Sequence, residues 1–312
     1  MTPRRVLLTG ASGFVARHLV PRLAAAFPDA VLTLCGEGRT PLDVTDRAAV
    51  ADLVREVRPD ACIHLAAISA IGDARQDPER AWRVNVMGTL AVAEALRATV
   101  PECLMVFASS AEVYGASFRS GGALDESAAA APMNTYAATK AAADLALGAM
   151  AAEGLRVVRL RPFNHTGAGQ TAAFVVPAFA RQIARIAAGL QGPELRVGNL
   201  ESARDFLDVR DVCDAYVASI RRADAIAPGT VLNLASGMPR RIDAVLTDLL
   251  RLSGVRADVA IDPARLWPSD IPLACGNAAR AQALLGWAPA IPWETTLSDV
   301  LADWRARVAA GE

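Results

Sequence analysis

The chain has 312 residues, enough for one large or two smaller domains with a substantial core, and its 32 basic and 33 acidic side chains leave a net charge of −1. Such a balance argues against a polyanion-binding surface, so no nucleic-acid partner is expected. Neither a signal peptide nor a membrane-spanning run is legible, five scattered cysteines form no CxxC pair, and three isolated histidines offer no metal cluster, which predicts a soluble cytoplasmic protein without a structural metal.

Short β-rich runs alternate with longer helical stretches. Arg5–Thr9 reads as a strand and leads to a helix from about Phe14. Val31–Cys35 is the second strand, with a helix after Asp46. Ala61–Leu65, a helix around Glu79–Arg97, the strand Cys103–Ser109, a helix from about Asn134 to Ala152 and the strand Arg156–Arg161 follow. This rhythm predicts βαβ units in an α/β doubly wound parallel sheet, a Rossmann fold spanning 1–165. From Pro162 onward Gly- and Pro-rich loops break the rhythm, so 166–203 and 237–312 are expected to form a second, smaller domain. Residues 204–236 read again as strand, helix, strand and are expected to rejoin the first domain, with Val231–Ala235 as a buried strand.

The first strand ends in Thr9-Gly10-Ala11-Ser12-Gly13-Phe14-Val15-Ala16. Glycine at 10 and 13 lets the backbone turn tightly and approach a pyrophosphate, whose charge then faces a helix N-terminus, while Ala16 permits close helix packing. Sites that prefer NAD place a carboxylate at the tip of the second strand. Here the tip is Leu34-Cys35-Gly36, with Glu37 and Arg39 just beyond. The Arg39 guanidinium suits a 2′-phosphate and favours NADP, with NAD left open.

Of the 32 basic residues 31 are arginine, and the single lysine, Lys140, follows Tyr136 by four positions. That spacing puts both on one helix face. A compact ammonium beside a phenol is expected to lower the tyrosine pKa and make Tyr136 a general acid.

Taken together, these features resemble the extended short-chain dehydrogenase/reductases, which act mostly on nucleotide sugars. The resemblance runs over nearly the whole chain. It is carried by the TGASGF turn, Asp43-Val44, His64-Leu65-Ala66-Ala67, Asn85 in NVMGT, Ser109-Ser110-Ala111-Glu112-Val113-Tyr114-Gly115, Tyr136-Ala-Ala-Thr-Lys140 and Arg161-Pro162-Phe163-Asn164. It implies that Ser110 orients the substrate oxygen, Tyr136 exchanges a proton with it, and Lys140 holds the nicotinamide ribose. Gly10, Ser12, Gly13, Phe14, Val15, Arg39, Asp43, Val44, Leu65, Ala66, Ala67, Asn85 and Pro162 would join Tyr136 and Lys140 around the cofactor, with Asp43-Val44 meeting adenine.

Within that family, Pro162–Gln170, Ala203–Asp211 and Asp262–Pro272 are most similar to reductases of GDP-linked 4-keto-6-deoxyhexoses. The activity implied is hydride transfer from NAD(P)H to the C4 ketone of such a sugar, giving a GDP-6-deoxyhexose. Asn164 and Arg204 would contact the sugar nucleotide. Relatives often carry an arginine where this chain has Trp267, so either Arg265 replaces the phosphate contact or Trp267 stacks on the substrate. Asp208 and Asp211 read as structural, with Asp211 placed to cap the following helix, and His165 reads as a structural histidine. Glu112 matches the glutamate of mannose-type 4,6-dehydratases and keeps dehydration as an alternative, followed by 4-epimerisation and a non-catalytic NADP-binding regulator. The Tyr136 helix is apolar around most of its circumference, which predicts a partner subunit and a homodimer.

Overall fold

The computed structural model describes residues 1–265 and 271–312, Arg265 by its backbone alone. Six short strands, β1 (Arg5–Thr9), β2 (Val31–Cys35), β3 (Ala61–His64), β4 (Leu104–Ala108), β5 (Val157–Pro162) and β9 (Val231–Leu234), pair in parallel in the order β2-β1-β3-β4-β5-β9. Strands β3 and β4 are almost wholly buried, as continuous apolar runs must be when helices cover both faces of a sheet. Alternate side chains of β1 feed opposite cores. Val6 and Leu8 pack with Leu19 and Leu23 of α1 (Phe14–Ala26) and with Val212 and Tyr216 of α8 (Val209–Arg221). Leu7 packs on the other face with Val50 and Val54 of α2 (Arg47–Val57), Leu96 of α5 (Thr89–Thr99) and Leu147 of α6 (Thr135–Ala152).

Because β1 connects outward to β2 and the chain then crosses to β3, the strand order reverses beside β1. A crevice opens there at the carboxyl ends of β1 and β3, where doubly wound sheets bind their ligands. The helical stretch expected around Glu79–Arg97 is α4 (Pro78–Trp82), a π-helical segment Arg83–Gly88 and α5, preceded by the short α3 (Ile71–Gln76). The π segment carries Asn85, and wide turns of this kind recur at functional sites.

After β5 the chain builds a second sheet from β6 (Asn164–Thr166), β8 (Ala203–Asp208), β10 (Pro239–Arg241) and β12 (Leu273–Ala274), beside a pair formed by β7 (Glu194–Val197) and β11 (Asp258–Ile261). A third core lies under these strands. In it α7 (Val175–Ala187), α9 (Ile242–Ser253) and α11 (Trp293–Ala309) bury Phe179, Ile183, Leu249, Leu301 and Trp304. Of the stretch 204–236, α8 and β9 return to the large sheet, whereas β8 stays in the second one. Helix α10 (Ala279–Leu285), expected with the second part, instead buries Ala281, Leu285 and the neighbouring Trp287 in the first core, where the Trp287 indole donates to the Asp211 carbonyl at 2.8 Å. No helix among the described residues is long and apolar enough to cross a membrane.

Candidate active site

At the mouth of the crevice Gly10 holds φ +71°, and a Cβ there would lie 2.7 Å from the Ala66 nitrogen and 2.8 Å from the Leu65 carbonyl carbon. Only glycine fits so close to the loop that follows β3. Gly13 closes the turn by donating to the Gly10 carbonyl at 3.0 Å and stands at the N-cap of α1 with no side-chain cap and no acid in the first turn. The opening N–H groups of α1, those of Phe14 and Val15 among them, are therefore free of a side-chain acceptor, which fits a dinucleotide pyrophosphate. The missing carboxylate at the tip of β2 also has a steric cause. A Cβ on Gly36 would stand 2.9 Å from the Ser12 nitrogen and 3.0 Å from its hydroxyl. Arg39 lies exposed beyond it.

The loop 65–67 packs against Gly10, and Val44 packs against Gly88. Asp43 accepts from the Thr45 amide at 2.9 Å and the Thr45 hydroxyl at 2.8 Å, and these bonds hold its carboxyl below the usual range. Val44 is buried against Gly88, where a Cβ would come within 2.6 Å of a Val44 methyl. Asn85 is fully buried, and its amide turns away from solvent. It accepts from the Ile68 amide at 2.8 Å and donates to the Ile68 carbonyl at 3.0 Å and to the Thr139 hydroxyl at 2.9 Å. Both its donors are thus committed to bracing the loop after β3 against α6.

His64 anchors the same loop. Thr89 uses its proton on the Asn85 carbonyl at 2.7 Å, so it accepts from His64 Nε2 at 3.0 Å, which leaves Nδ1 to accept from Thr9 at 2.7 Å. This assignment describes a neutral ring. Burial, with Lys140 nearby, pushes the His64 pKa down to about 3.

Tyr136 and Lys140 lie on α6, capped by Asn134, whose side chain accepts from the Ala137 amide at 2.8 Å. Ser110 stands at the end of β4, where its hydroxyl accepts from the Glu112 amide at 3.1 Å. The sequence led us to expect a lowered Tyr136 pKa. Instead burial pushes it up to about 12, the Ser110 hydroxyl working against the rise and Glu112 adding to it. Lys140 does not lower it, because the ammonium donates to the Ala108 carbonyl at 2.8 Å and lies 5.1 Å from the centre of the Phe107 ring. Burial lowers the Lys140 pKa to about 8, with Asp144 pulling the other way.

Asp144 escaped the sequence reading. It is buried one turn beyond Lys140 and accepts from Ser109 at 2.5 Å, from Arg161 at 2.9 and 3.0 Å and from Arg159 at 3.0 Å. These partners hold its carboxyl below the usual range despite burial. The signal was present in β5, where two arginines alternate in an otherwise apolar strand and so require a buried acid.

Glu112 is pushed up by burial, with Arg204 and Asn134 opposing the rise. Arg204 extends from β8 and donates to the Ala203 carbonyl at 2.8 Å and the Ile271 carbonyl at 3.1 Å. Asn164 is exposed on β6, directly after the buried Pro162 and Phe163. His165 bonds the Phe163 carbonyl through Nδ1 at 3.0 Å and lies parallel to the Phe14 ring. Asp208, not Asp211, caps α8, accepting from the Arg210 amide at 2.7 Å. Asp211 lies inside that helix and accepts from the amides of Ala290 and Ile291. The Arg265 side chain and Trp267 lie outside the described residues.

The chain matches the NAD dependent epimerase/dehydratase family over residues 6–235. It is 38% identical over 307 residues to a GDP-6-deoxy-D-mannose reductase from Pseudomonas aeruginosa, covering 98% of each chain. Among solved structures it is similar to RMD from Pseudomonas aeruginosa complexed with NADPH, with a TM-score of 0.87 and 35% identity over 97% of this chain and 99% of that one. It is also similar to a UDP-glucose 4-epimerase from Thermus thermophilus in complex with NAD, with a TM-score of 0.82 and 25% identity over 96% and 99%. The protein belongs to the NAD dependent epimerase/dehydratase family, the extended short-chain dehydrogenase/reductases that its motifs resemble.

Proposed function

We propose that the protein reduces the C4 ketone of a nucleotide-linked 4-keto-6-deoxyhexose, GDP-4-keto-6-deoxy-D-mannose, to a GDP-6-deoxyhexose such as GDP-D-rhamnose, using NADPH in preference to NADH. The observation that carries the reading is the side-by-side placement of Ser110 and Tyr136 next to a crevice shaped for a dinucleotide. The likeness to the Pseudomonas aeruginosa reductase narrows the substrate. The likeness to its NADPH complex, together with the exposed Arg39, supports the choice of cofactor.

When bound, the nicotinamide supplies the hydride. Ser110 donates a hydrogen bond to the ketone oxygen, and Tyr136 hands its proton to that oxygen as negative charge develops. A phenol with a pKa of about 12 is fully protonated at neutral pH and remains more acidic than the alcohol being formed, so the transfer runs in the required direction. Lys140, still an ammonium at pH 7 with a pKa of about 8, holds the nicotinamide ribose. Residues 1–165 and their return hold the cofactor, while Asn164 on β6 and Arg204 on β8, both strands of the second sheet, contact the nucleotide sugar.

A homodimer fits the exposed Leu145 and Met133 on and before α6, and the exposed Trp82 and Ile71 on the helices packed against it. All five cysteines are free and buried, which suits a reducing cytoplasm. The second reading, 4,6-dehydration, is favoured by Glu112, whose raised pKa beside Tyr136 suits proton transfer. The deciding experiment supplies GDP-4-keto-6-deoxymannose with NADPH. One cofactor should be oxidised per sugar reduced, and Tyr136→Phe should abolish the reaction while still binding NADPH. Conversion of GDP-mannose to its 4-keto-6-deoxy form without net cofactor use would establish the dehydratase instead.

A further inference from the structure

On α6 four residues recur at every fourth position along one face: Tyr136, Lys140, Asp144 and Gly148. Gly148 belongs to this arrangement because a Cβ there would lie 2.6 Å from Arg159 Nη1, so the guanidinium passes over the helix only where the side chain is absent. Arg159 then donates to both the side chain and the carbonyl of Asp144, at 3.0 and 2.9 Å, and to the Gly229 carbonyl at 2.6 and 3.2 Å. Arg161 grips the same carboxylate with two nitrogens and lies 5.0 Å from the centre of the Tyr114 ring. Ser109 completes the set at 2.5 Å. Ser109 lies between Ala108, whose carbonyl receives the Lys140 ammonium, and Ser110, which stands beside the Tyr136 phenol.

We propose that Asp144 is a positioning residue for the reaction: it locks the 108–110 strand end to the helix bearing Tyr136 and Lys140, and it supplies the counter-charge for the buried Lys140 ammonium. This rests on the reading that Tyr136 and Lys140 carry the proton chemistry. The carboxylate reaches three elements at once, namely α6 through its own backbone, β4 through Ser109 and β5 through Arg159 and Arg161. An acid serving only to neutralise two arginines has no need of the serine that adjoins Ser110. Of the titratable and charged groups around Lys140, Tyr136 and Asp144 lie on its own helix, His64 reaches it from β3, and Arg159 and Arg161 reach Asp144 from β5. Glu112 lies near Tyr136 from the segment after Ser110. His64 is neutral and Tyr136 is protonated near pH 7, so among these groups Asp144 is the anion that acts on Lys140.

The test uses the full chain and three variants, D144N, D144E and S109A. NADPH oxidation with GDP-4-keto-6-deoxymannose is followed across pH, beside NADPH affinity by fluorescence and thermal unfolding. D144N removes the charge, so kcat should fall tenfold or more and the alkaline limb of the pH profile should move to lower pH by on the order of one unit, the scale of a nearby counter-charge. D144E should restore the position of that limb. S109A keeps the carboxylate and cuts the link to the strand end, so kcat should fall about tenfold while the limb stays in place, in keeping with the sensitivity of catalysis to small misplacements. A folded D144N that binds NADPH and keeps the wild-type profile overturns the inference. If D144N does not fold, S109A decides: lowered kcat at unchanged NADPH affinity supports the inference, and wild-type kcat overturns it. A wild-type protein that leaves the keto sugar unreduced overturns the functional reading and the inference together, whereas an active wild type with unaltered variants overturns the inference alone.

Discussion

Lys140→Met should make the protein more stable at pH 7 while removing its activity. Lys140 is only 4% exposed, and its folded pKa of about 8 lies below the ordinary 10.5. Between these values the folded state binds fewer protons than the unfolded chain, so this residue's contribution to stability rises with pH from 8 to 10.5. Below pH 8 the ammonium is charged in both states and the full penalty applies. The gap of 10.5 − 8 at 1.36 kcal/mol per pH unit amounts to about 3 kcal/mol. Methionine fills a similar volume without charge, but it loses the 2.8 Å bond to the Ala108 carbonyl, a loss of about 1–2 kcal/mol. The balance at pH 7 favours the variant by about 1–2 kcal/mol, which for a chain of 312 residues is a rise of roughly 1.5–3 °C in Tm. By pH 10 the wild-type lysine is largely neutral in the fold and the advantage should vanish. Thermal unfolding of the ligand-free proteins at pH 7 and pH 10 reads this directly, and turnover should fall by about a hundredfold or more. A variant destabilised equally at both pH values would refute the reasoning, since the ammonium would then impose no penalty on the fold.

Three further outcomes follow from the same geometry. Arg39→Ala should weaken NADPH binding and scarcely alter NADH binding, as titrated by nicotinamide fluorescence, because only the former carries the 2′-phosphate; equal losses would remove Arg39 from that role. Glu112→Gln should reduce ketone reduction only modestly, because Tyr136 supplies the proton, and complete loss in a steady-state assay would move Glu112 into the chemistry. Acid should destabilise the fold before the carboxylates titrate. His64, held neutral at a pKa of about 3 against 6.5 unfolded, contributes stability above pH 6.5 that drains away as pH falls towards 3. Urea unfolding should therefore show a loss on the order of 2 kcal/mol between pH 6.5 and 4.5. His64→Gln should flatten the greater part of that slope, while the half-buried His165, whose pKa is also lowered by desolvation, retains a share.

The elements that were legible in the sequence carry their own boundary chemistry. Strands β1 to β5 are short apolar runs between turn residues, and the turn after β1 places Gly10 where the backbone approaches Leu65 and Ala66. What escaped depends on partners far away in the chain. Strand β8 has the composition of a sheet strand, but only its pairing with Pro239–Arg241 and Leu273–Ala274 decides which sheet receives it. Asp211 has the position of a helix acid, yet its acceptors are used by amides 79 and 80 residues downstream.

The Tyr136 pKa shows the limit most clearly. A spacing of four places two side chains on one face but says nothing about where a flexible four-carbon stem will direct its charge. Here the ammonium donates to a carbonyl at the end of β4 and feels the charge of Asp144 one turn further along its helix, while burial keeps the proton on the phenol. Lys140, the one lysine among 32 basic residues, therefore stands as the candidate for a reason that differs from the spacing alone. The site between Phe107, Ala108 and Asp144 admits a compact cation at the end of a thin stem, whereas a guanidinium would need width and further acceptors that the packed strand end does not offer. Sequence composition recorded that constraint, and the direction of the ammonium became visible only in three dimensions.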